Sequence, residues 1–367
     1  MKIDRIELFL VPLRLRERFE ISSGWRDERM ILLVTVHGEG ETGWGECVAA
    51  EDPSYSYETT ETAWHLLRDF ISPRVVKHEL AAADQLPKLL TSVRGHAMAV
   101  AGVEMALWDL QARLAGRSLA EEVGGARRPV DVGVSIGLQP DDGTLLKKVE
   151  GYVAEGYKRV KMKIKPGRDV EMLRLVRREF PDLPILADAN SAYTLSDVDH
   201  LRAFDELDLM MIEQPLAHDD LLDHARLAEQ ITTPICLDES IVSLRSAVLA
   251  LELGACRIIN LKPGRVGGFG PSRAIHDLCV AHEIPVWCGG MLESGIGRAH
   301  NVALASLPGF TLPGDISASR RYWHEDLVEP EFEMVEGTLC LPPGPGIGVT
   351  PRIDRISSLA LRHETFG

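Results

Sequence analysis

The sequence predicts an α/β protein, a (β/α)8-type barrel (a modified TIM barrel) beneath an N-terminal α+β cap, and three observations carry that expectation. Lys163, Asp188, Glu213, Asp238 and Lys262 recur at steps of 25, 25, 25 and 24 residues, each closing a short apolar run: VKMK, PILAD, LMMIE, PICLD and IINLK. Such a run reads as a buried parallel strand, and this period accommodates one strand, one helix and two short loops. Upstream of about residue 130 the pattern changes to strand-like runs followed by helical ones. The length of 367 residues also exceeds the roughly 250 that a barrel needs, which leaves room for a second unit.

Taken in order, residues 2–13 and 30–48 carry the strand-like runs, with HGEGET as the turn of a hairpin between MILLVTV and GWGECV. Helical patterns follow at about 57–74, 80–92 and 96–116, where Gly116 supplies a C-terminal stop and the Leu/Ala stripe faces a core. The βα alternation begins near 130. With IGL near 136 ending the first barrel strand, the five ionisable residues fall on strands two to six. Beyond 320 the chain turns irregular and rich in Pro and Gly. The expected units are a cap over 1–125, a barrel over 126–320 and a segment over 321–367 that packs back on the cap.

Composition narrows the classes. A formal charge of −15 argues against general nucleic-acid affinity. The first residues include Lys2, Asp4, Arg5 and Glu7, and no apolar run resembles a signal segment or a membrane span, so a cytoplasmic protein is expected. The six cysteines show no CxxC spacing and read as reduced core thiols. A homo-oligomer is expected because barrels expose helical faces that can assemble.

Chemistry in such a barrel gathers at the C-terminal ends of the strands. Neighbouring parallel strands lie about 4.8 Å apart, so Asp188, Glu213 and Asp238 on strands three, four and five converge on one point. Strands two and six are half a turn apart in a ring of eight, which sets Lys163 and Lys262 across the mouth from each other. Three crowded carboxylates would hold protons unless a cation neutralised them. Oxygen-only ligands favour magnesium, with manganese as a substitute, and no His or Cys ends these strands. Residues two apart on a strand share a side, which adds Lys161 beside Lys163 and Asn190 beside Asp188 as supporting residues. Lys161 has two compatible roles: lowering the pKa of Lys163 toward that of a general base, or pairing with the carboxylates. By the same alternation Glu239 points away from Asp238 and takes a polar supporting role. His300 is expected to be structural. GRVGG at 264–268 is expected to make a tight turn near substrate, with Arg265 exposed or pairing at an interface.

KMK at 161–163, DAN at 188–190, EQP at 213–215, DES at 238–240 and NLKPGRVGG at 260–268 resemble the muconate-lactonising-enzyme subgroup of the enolase superfamily, over nearly the whole chain. FEISSGWRDER at 19–29, EDPSYSYET at 51–59 and GGMLESGIGRAHN at 289–301 further resemble the N-succinylamino acid racemase / o-succinylbenzoate synthase family. The resemblance implies magnesium-dependent abstraction of a proton next to a carboxylate, through an enediolate, with Lys163 and Lys262 as the acid/base pair. It implies metal ligation by Asp188, Glu213 and Asp238. It also implies that loops around Ser22, Ser23 and Tyr55 close over an N-acylamino acid or related carboxylate, that Ser135, Met291, Glu293 and Ser294 line its pocket, and that Gly264 opens space beside Lys262.

Other readings are weighed on the same residues. A Schiff-base aldolase places a lysine at a strand end but has no need of three acids in phase. A non-catalytic metabolite-binding barrel could lose the lysines, and both are present. Muconate-type cycloisomerases and dipeptide epimerases share the five-residue core and differ in their loops.

Overall fold

The computed structural model describes residues 1–22, 24–126 and 128–367, so Ser23 of the expected substrate contacts lies outside the described residues. The chain opens with an antiparallel meander of β1 (Arg5–Ile21), β2 (Gly24–Gly38) and β3 (Glu41–Cys47). Glu39 and Gly40 turn β2 into β3 with φ of 54° and 87°, the paired positive values that suit a tight hairpin. Helix α1 (Thr60–Leu66) starts where Thr59 accepts from the Thr62 amide in a capping box, and its path continues to Val75. The pattern at 80–92 yields only a short turn and Leu86–Leu89, with Pro87 confined to the first turn, where a missing N–H is tolerated.

Helix α2 (Ala97–Leu114) is buried along most of its length. It lies directly on β3 because that strand presents glycine at alternate positions. A Cβ at Gly43 would meet the Ala106 carbonyl oxygen at 2.0 Å, and one at Gly45 the Gly102 carbonyl oxygen at 2.1 Å. The intervening residues, Trp44 and Glu46, point to the other face.

The barrel follows as β4 (Val134–Ile136), α3 (Asp142–Ala154), β5 (Val160–Lys163), α4 (Val170–Glu179), β6 (Ile185–Asp188), β7 (Ile212–Glu213), α5 (Leu221–Ala228), β8 (Ile235–Leu237), α6 (Leu244–Glu252), β9 (Ile258–Leu261), α7 (Phe269–Ala281), β10 (Val286–Cys288) and α8 (Gly295–Ala305). The seven strands form one parallel sheet in sequence order. The eighth position is filled without a regular strand. Residues 310–315 bridge β10 through Val286–Phe310 and the approach to β4 through Val132–Gly314, both in parallel sense. Pro313 cannot donate to a ladder, which explains the irregular closure. Below the mouth, Leu186, Met211, Cys236, Ile258 and Trp287 form an apolar plug inside the ring.

The last strand, β11 (Arg362–Phe366), returns to the cap and pairs antiparallel with β1, Ile6 opposite Phe366 and Leu10 opposite Arg362. Five of the six cysteines are free and buried, as expected of core thiols, whereas Cys340 is free and exposed. No helix among the described residues is long and apolar enough to cross a membrane.

Candidate active site

The C-terminal ends of the barrel strands open into a cavity of about 390 Å³ roofed by the cap. Lys161, Lys163, Lys262 and Asp315 line its floor. Phe19, Ile21, Trp25, Val48 and Tyr55 come from the cap, and Met291 and Leu292 from the loop after β10.

Asp188 and Glu213 stand level on neighbouring strands, and Asp238 follows the last residue of β8. All three are buried. Lys163 donates to Asp188 at 2.6 Å and to Asn190 Oδ1 at 2.7 Å. Lys262 donates to Asp238 at 2.8 Å and to the Tyr55 hydroxyl at 2.7 Å. Each lysine is thus tied to a different acid. The two stand on β5 and just past β9, four places apart in the sheet.

Lys161 takes the pairing role. Its Nζ lies 2.8 Å from Asp188, 2.8 Å from Glu213 and 3.0 Å from Asp315. Burial alone would lower its pKa, but Asp188, Asp315 and Glu213 outweigh that and hold it well above the ordinary lysine value. Burial likewise would raise Asp188, yet the ammonium groups of Lys161 and Lys163 hold it below the usual carboxylate range. Asp238 is held well below that range because Arg265 and Lys262 overcome its burial. Glu213 goes the other way, pushed up to about 8 by burial and then by Asp188.

Several expectations are corrected. Arg265 is neither exposed nor at a surface interface: it is buried, donating to Asp238 at 2.5 Å, to Tyr55 at 3.1 Å and to the Asn260 and Ile241 carbonyls. The GRVGG segment makes the expected turn, with Gly267 and Gly268 at φ of 103° and 107°, but a short helical turn at Pro263–Val266 folds Arg265 inward. Glu239 does not point away. The pleat ends at Leu237, so period-2 alternation no longer holds, and Glu239 accepts from Asn190 Nδ2 at 2.7 Å. Its carboxyl is pushed up to about 7 by burial and by Asp238. Asn190 also lies past its strand, at φ of 43°, and Gln214 beside it has φ of 41°. Such backbone values in non-glycine residues are costly and gather at sites of function.

Gly264 makes room beside Lys262, and the cap fills it: a Cβ there would meet Val48 Cγ2 at 2.5 Å, so the glycine lets the cap close onto the barrel. Gly264→Ala is expected to cost about 1–3 kcal/mol of stability by overpacking, read as a lowered denaturation midpoint.

The expected pocket residues divide. Ser135, Tyr55 and Met291 line the cavity, and among the described residues the buried Ser135 Oγ has no hydrogen-bond partner. Ser22 Oγ instead donates to the Asn190 carbonyl at 3.3 Å. Glu293 accepts from Asn301 at 2.8 Å, and Ser294 caps α8 while donating to Glu46 at 2.6 Å, so neither side chain is in the cavity wall. His300 is structural as expected: it donates to the Trp44 carbonyl at 2.8 Å, and burial lowers its pKa to about 4.

Two residues escaped the 25-residue period. Asp315, in the irregular eighth position, holds Lys161 and accepts from Arg159 at 2.7 Å. Asn260 donates to Glu213 at 2.8 Å. Asn260 carried a signal, because it stands two residues before Lys262 on the same side of β9.

No three of the described His, Cys, Asp or Glu side chains form a ready-made metal cage; the ammonium groups stand among the acids instead. The donor chemistry nonetheless fits a hard divalent cation. Three carboxylates from adjacent strand ends face one region, no thiolate or imidazole is among them, and Glu213 Oε2 has the Lys161 ammonium 2.8 Å away as its charged neighbour.

A capped barrel with acids at successive strand ends and lysines flanking them defines an enolase-type enzyme. Residues 144–355 match the family model described as Enolase C-terminal domain-like, and residues 5–124 match that of the Mandelate racemase / muconate lactonizing enzyme N-terminal domain. The chain belongs to the mandelate racemase / muconate lactonizing enzyme family. It is 51% identical over 349 residues to an o-succinylbenzoate synthase of Geobacillus stearothermophilus, covering 95% of this chain and 93% of that one. It is 48% identical to an N-succinylamino acid racemase of Thermus thermophilus, covering 97% and 98%. The crystal structure of an enolase superfamily member from Listeria innocua superposes with a TM-score of 0.96 at 41% identity, covering 100% and 99%. Proton abstraction is general to the superfamily, and enzymes of this family are generally magnesium-dependent.

Proposed function

We propose that the protein racemises N-succinylamino acids and that the same site supports o-succinylbenzoate synthesis. The observation that carries the reading is the pair of lysines, four strands apart and each held by its own acid. A substrate with its α-carbon between them meets one amine on each face.

Asp188, Glu213 and Asp238 would hold magnesium, which supplies charge compensation to the substrate carboxylate as the α-proton leaves. One lysine, as the free amine, takes the α-proton and leaves an enediolate. The other, as the ammonium, returns a proton to the opposite face, and the stereocentre inverts. In the synthase reaction a β-hydroxyl departs as the carbon–carbon double bond forms, one base suffices, and the second lysine remains a cation. Lys161 and Asp315 keep the acids oriented from below. Tyr55 supports Lys262 from above: burial and then Asp238 hold its hydroxyl well above the usual tyrosine value, so it stays protonated and donates to Asp238 at 3.0 Å. Phe19, Ile21 and Tyr55 put apolar surface over the site and would limit water there once substrate fills the cavity.

The apolar wall suits a hydrophobic amino-acid side chain, and the hydroxyls of Ser54 and Ser135 on the same cavity suit a polar N-acyl arm. N-succinylphenylalanine and N-succinylmethionine are therefore expected to be racemised with higher kcat/KM than their N-acetyl analogues or the free amino acids. Tyr55→Ala should raise KM more for the succinyl substrate than for the acetyl one, and Tyr55→Phe, which loses the contact to Lys262, should lower kcat about tenfold. Faster turnover of dipeptides or of muconate than of every N-succinyl compound would refute the substrate assignment and leave the proton chemistry standing.

A further inference from the structure

The wall formed by Gly290, Met291 and Leu292 is not fixed by the barrel alone. Leu292 has a φ of 58°, in the left-handed region, so this loop needs outside support to keep its course. Arg298 and Trp323 each donate to the Glu293 carbonyl at 3.0 Å and Asp326 accepts from Gly295 N at 2.7 Å, and the cap adds the rest. Glu46 on β3 reaches the start of α8, where Ser294 N lies 3.2 Å from each of its carboxylate oxygens, Ser294 Oγ donates at 2.6 Å and Gly297 N donates at 3.1 Å. These contacts all belong to the turn that ends the pocket loop. Glu46 is 1% exposed and, among the described residues, no cation pairs with it. A buried carboxyl without a counter-ion is costly to leave unsatisfied, and burial pushes this one up to about 8 against the Ser294 and Gly297 donors that hold it. Two residues on, Val48 lines the same cavity.

We propose that Glu46 is a positioning residue for substrate specificity: through one buried carboxylate on the N-terminus of α8, the cap sets the course of residues 290–292 and hence the shape of the side-chain pocket. The role in specificity rests on the racemase reading, whereas the hold on the loop does not. Glu104 supplies a comparison within the same molecule. From α2 it accepts from Phe269 N and Gly270 N, each at 2.8 Å, and so caps α7 in the same manner. The residues between Lys262 and α7 contribute nothing to the side-chain wall. A purely structural cap would behave alike at both places.

The experiment compares wild type with Glu46→Gln, Ser294→Ala and Glu104→Gln. Amide hydrogen exchange, followed by mass spectrometry, reads the loop, and racemisation of N-succinylalanine and N-succinylphenylalanine reads the pocket. The amide can accept at only one atom, and leaving one buried N–H or O–H donor without its acceptor corresponds to roughly tenfold or more. Exchange over 289–297 in Glu46→Gln should therefore quicken about tenfold or more, with the cap sheet unchanged. KM for the phenylalanine substrate should rise about tenfold while that for the alanine substrate and both kcat values stay within about twofold. Ser294→Ala should shift the same quantities in the same direction by less, and it decides the matter if Glu46→Gln does not fold. Glu104→Gln should leave exchange over 289–297 unchanged and affect both substrates equally. Unaltered exchange in that segment, equal KM changes for the two substrates, or the same pattern in Glu104→Gln would overturn the proposal. Wild type that racemises neither substrate would refute the racemase reading, while the exchange result still decides whether Glu46 holds the loop.

Discussion

Stripping divalent metal from the purified protein with a chelator is expected to abolish turnover, and magnesium or manganese to restore it. The size of the effect follows from the charge to be handled. Removing a proton next to a carboxylate creates a dianion, and Lewis-acid compensation of several kcal/mol corresponds to three or more decades in rate. Glu213→Gln tests the same point from the protein side. Burial pushes the Glu213 carboxyl up to about 8, so without a divalent ion it takes a proton readily, and the amide imitates that neutral state. Metal affinity should fall, and about 10³-fold or more of kcat should be lost, with circular dichroism unchanged. Full activity in protein shown by elemental analysis to hold no divalent metal would end this reading.

In heavy water, Lys163→Ala is expected to lose α-proton exchange from one enantiomer and retain it from the other, and Lys262→Ala to show the reverse. Racemisation needs both bases and should fall by roughly 10²–10⁴-fold in either variant. Exchange needs only the base on the side from which the proton leaves. The separation of roles follows from placement, since Lys163 is anchored by Asp188 and Asn190, and Lys262 by Asp238 and Tyr55. Equal loss of exchange from both enantiomers in both variants, with folding and metal affinity intact, would contradict a two-base geometry.

Much of this candidate site was legible because a parallel barrel writes its strand ends as a period. Each apolar strand ends in a residue that faces the mouth, so the five at 163, 188, 213, 238 and 262 stand out. The period fails where the backbone departs from it. Asp315 belongs to a segment with proline at its centre and no ladder, so nothing in the local pattern marks it as the partner of Lys161. Arg265 and Glu239 were misplaced for a related reason: one lies on a helical turn and the other beyond the end of β8, where alternation carries no information. The cap contacts were the least readable. That Gly264 admits Val48, or that Ser294 meets Glu46 across 248 residues of sequence, depends on how two units dock. Pairings so remote have no local signature.

The return of β11 to the edge of β1 bears on how the molecule is made. On the edge of β1 away from β2, Ile6 finds its partner only at Phe366, so a chain emerging from the ribosome exhibits that edge long before the strand that covers it exists. Until then the outer edge of β1 offers unpaired N–H and C=O groups to any passing strand. The hazard is removed only after the whole barrel has been synthesised, which gives the barrel time to assemble first. The same arrangement brings the two ends of the fold side by side on one sheet, where a short linker could join them and new ends could be cut elsewhere without disturbing the mouth of the barrel.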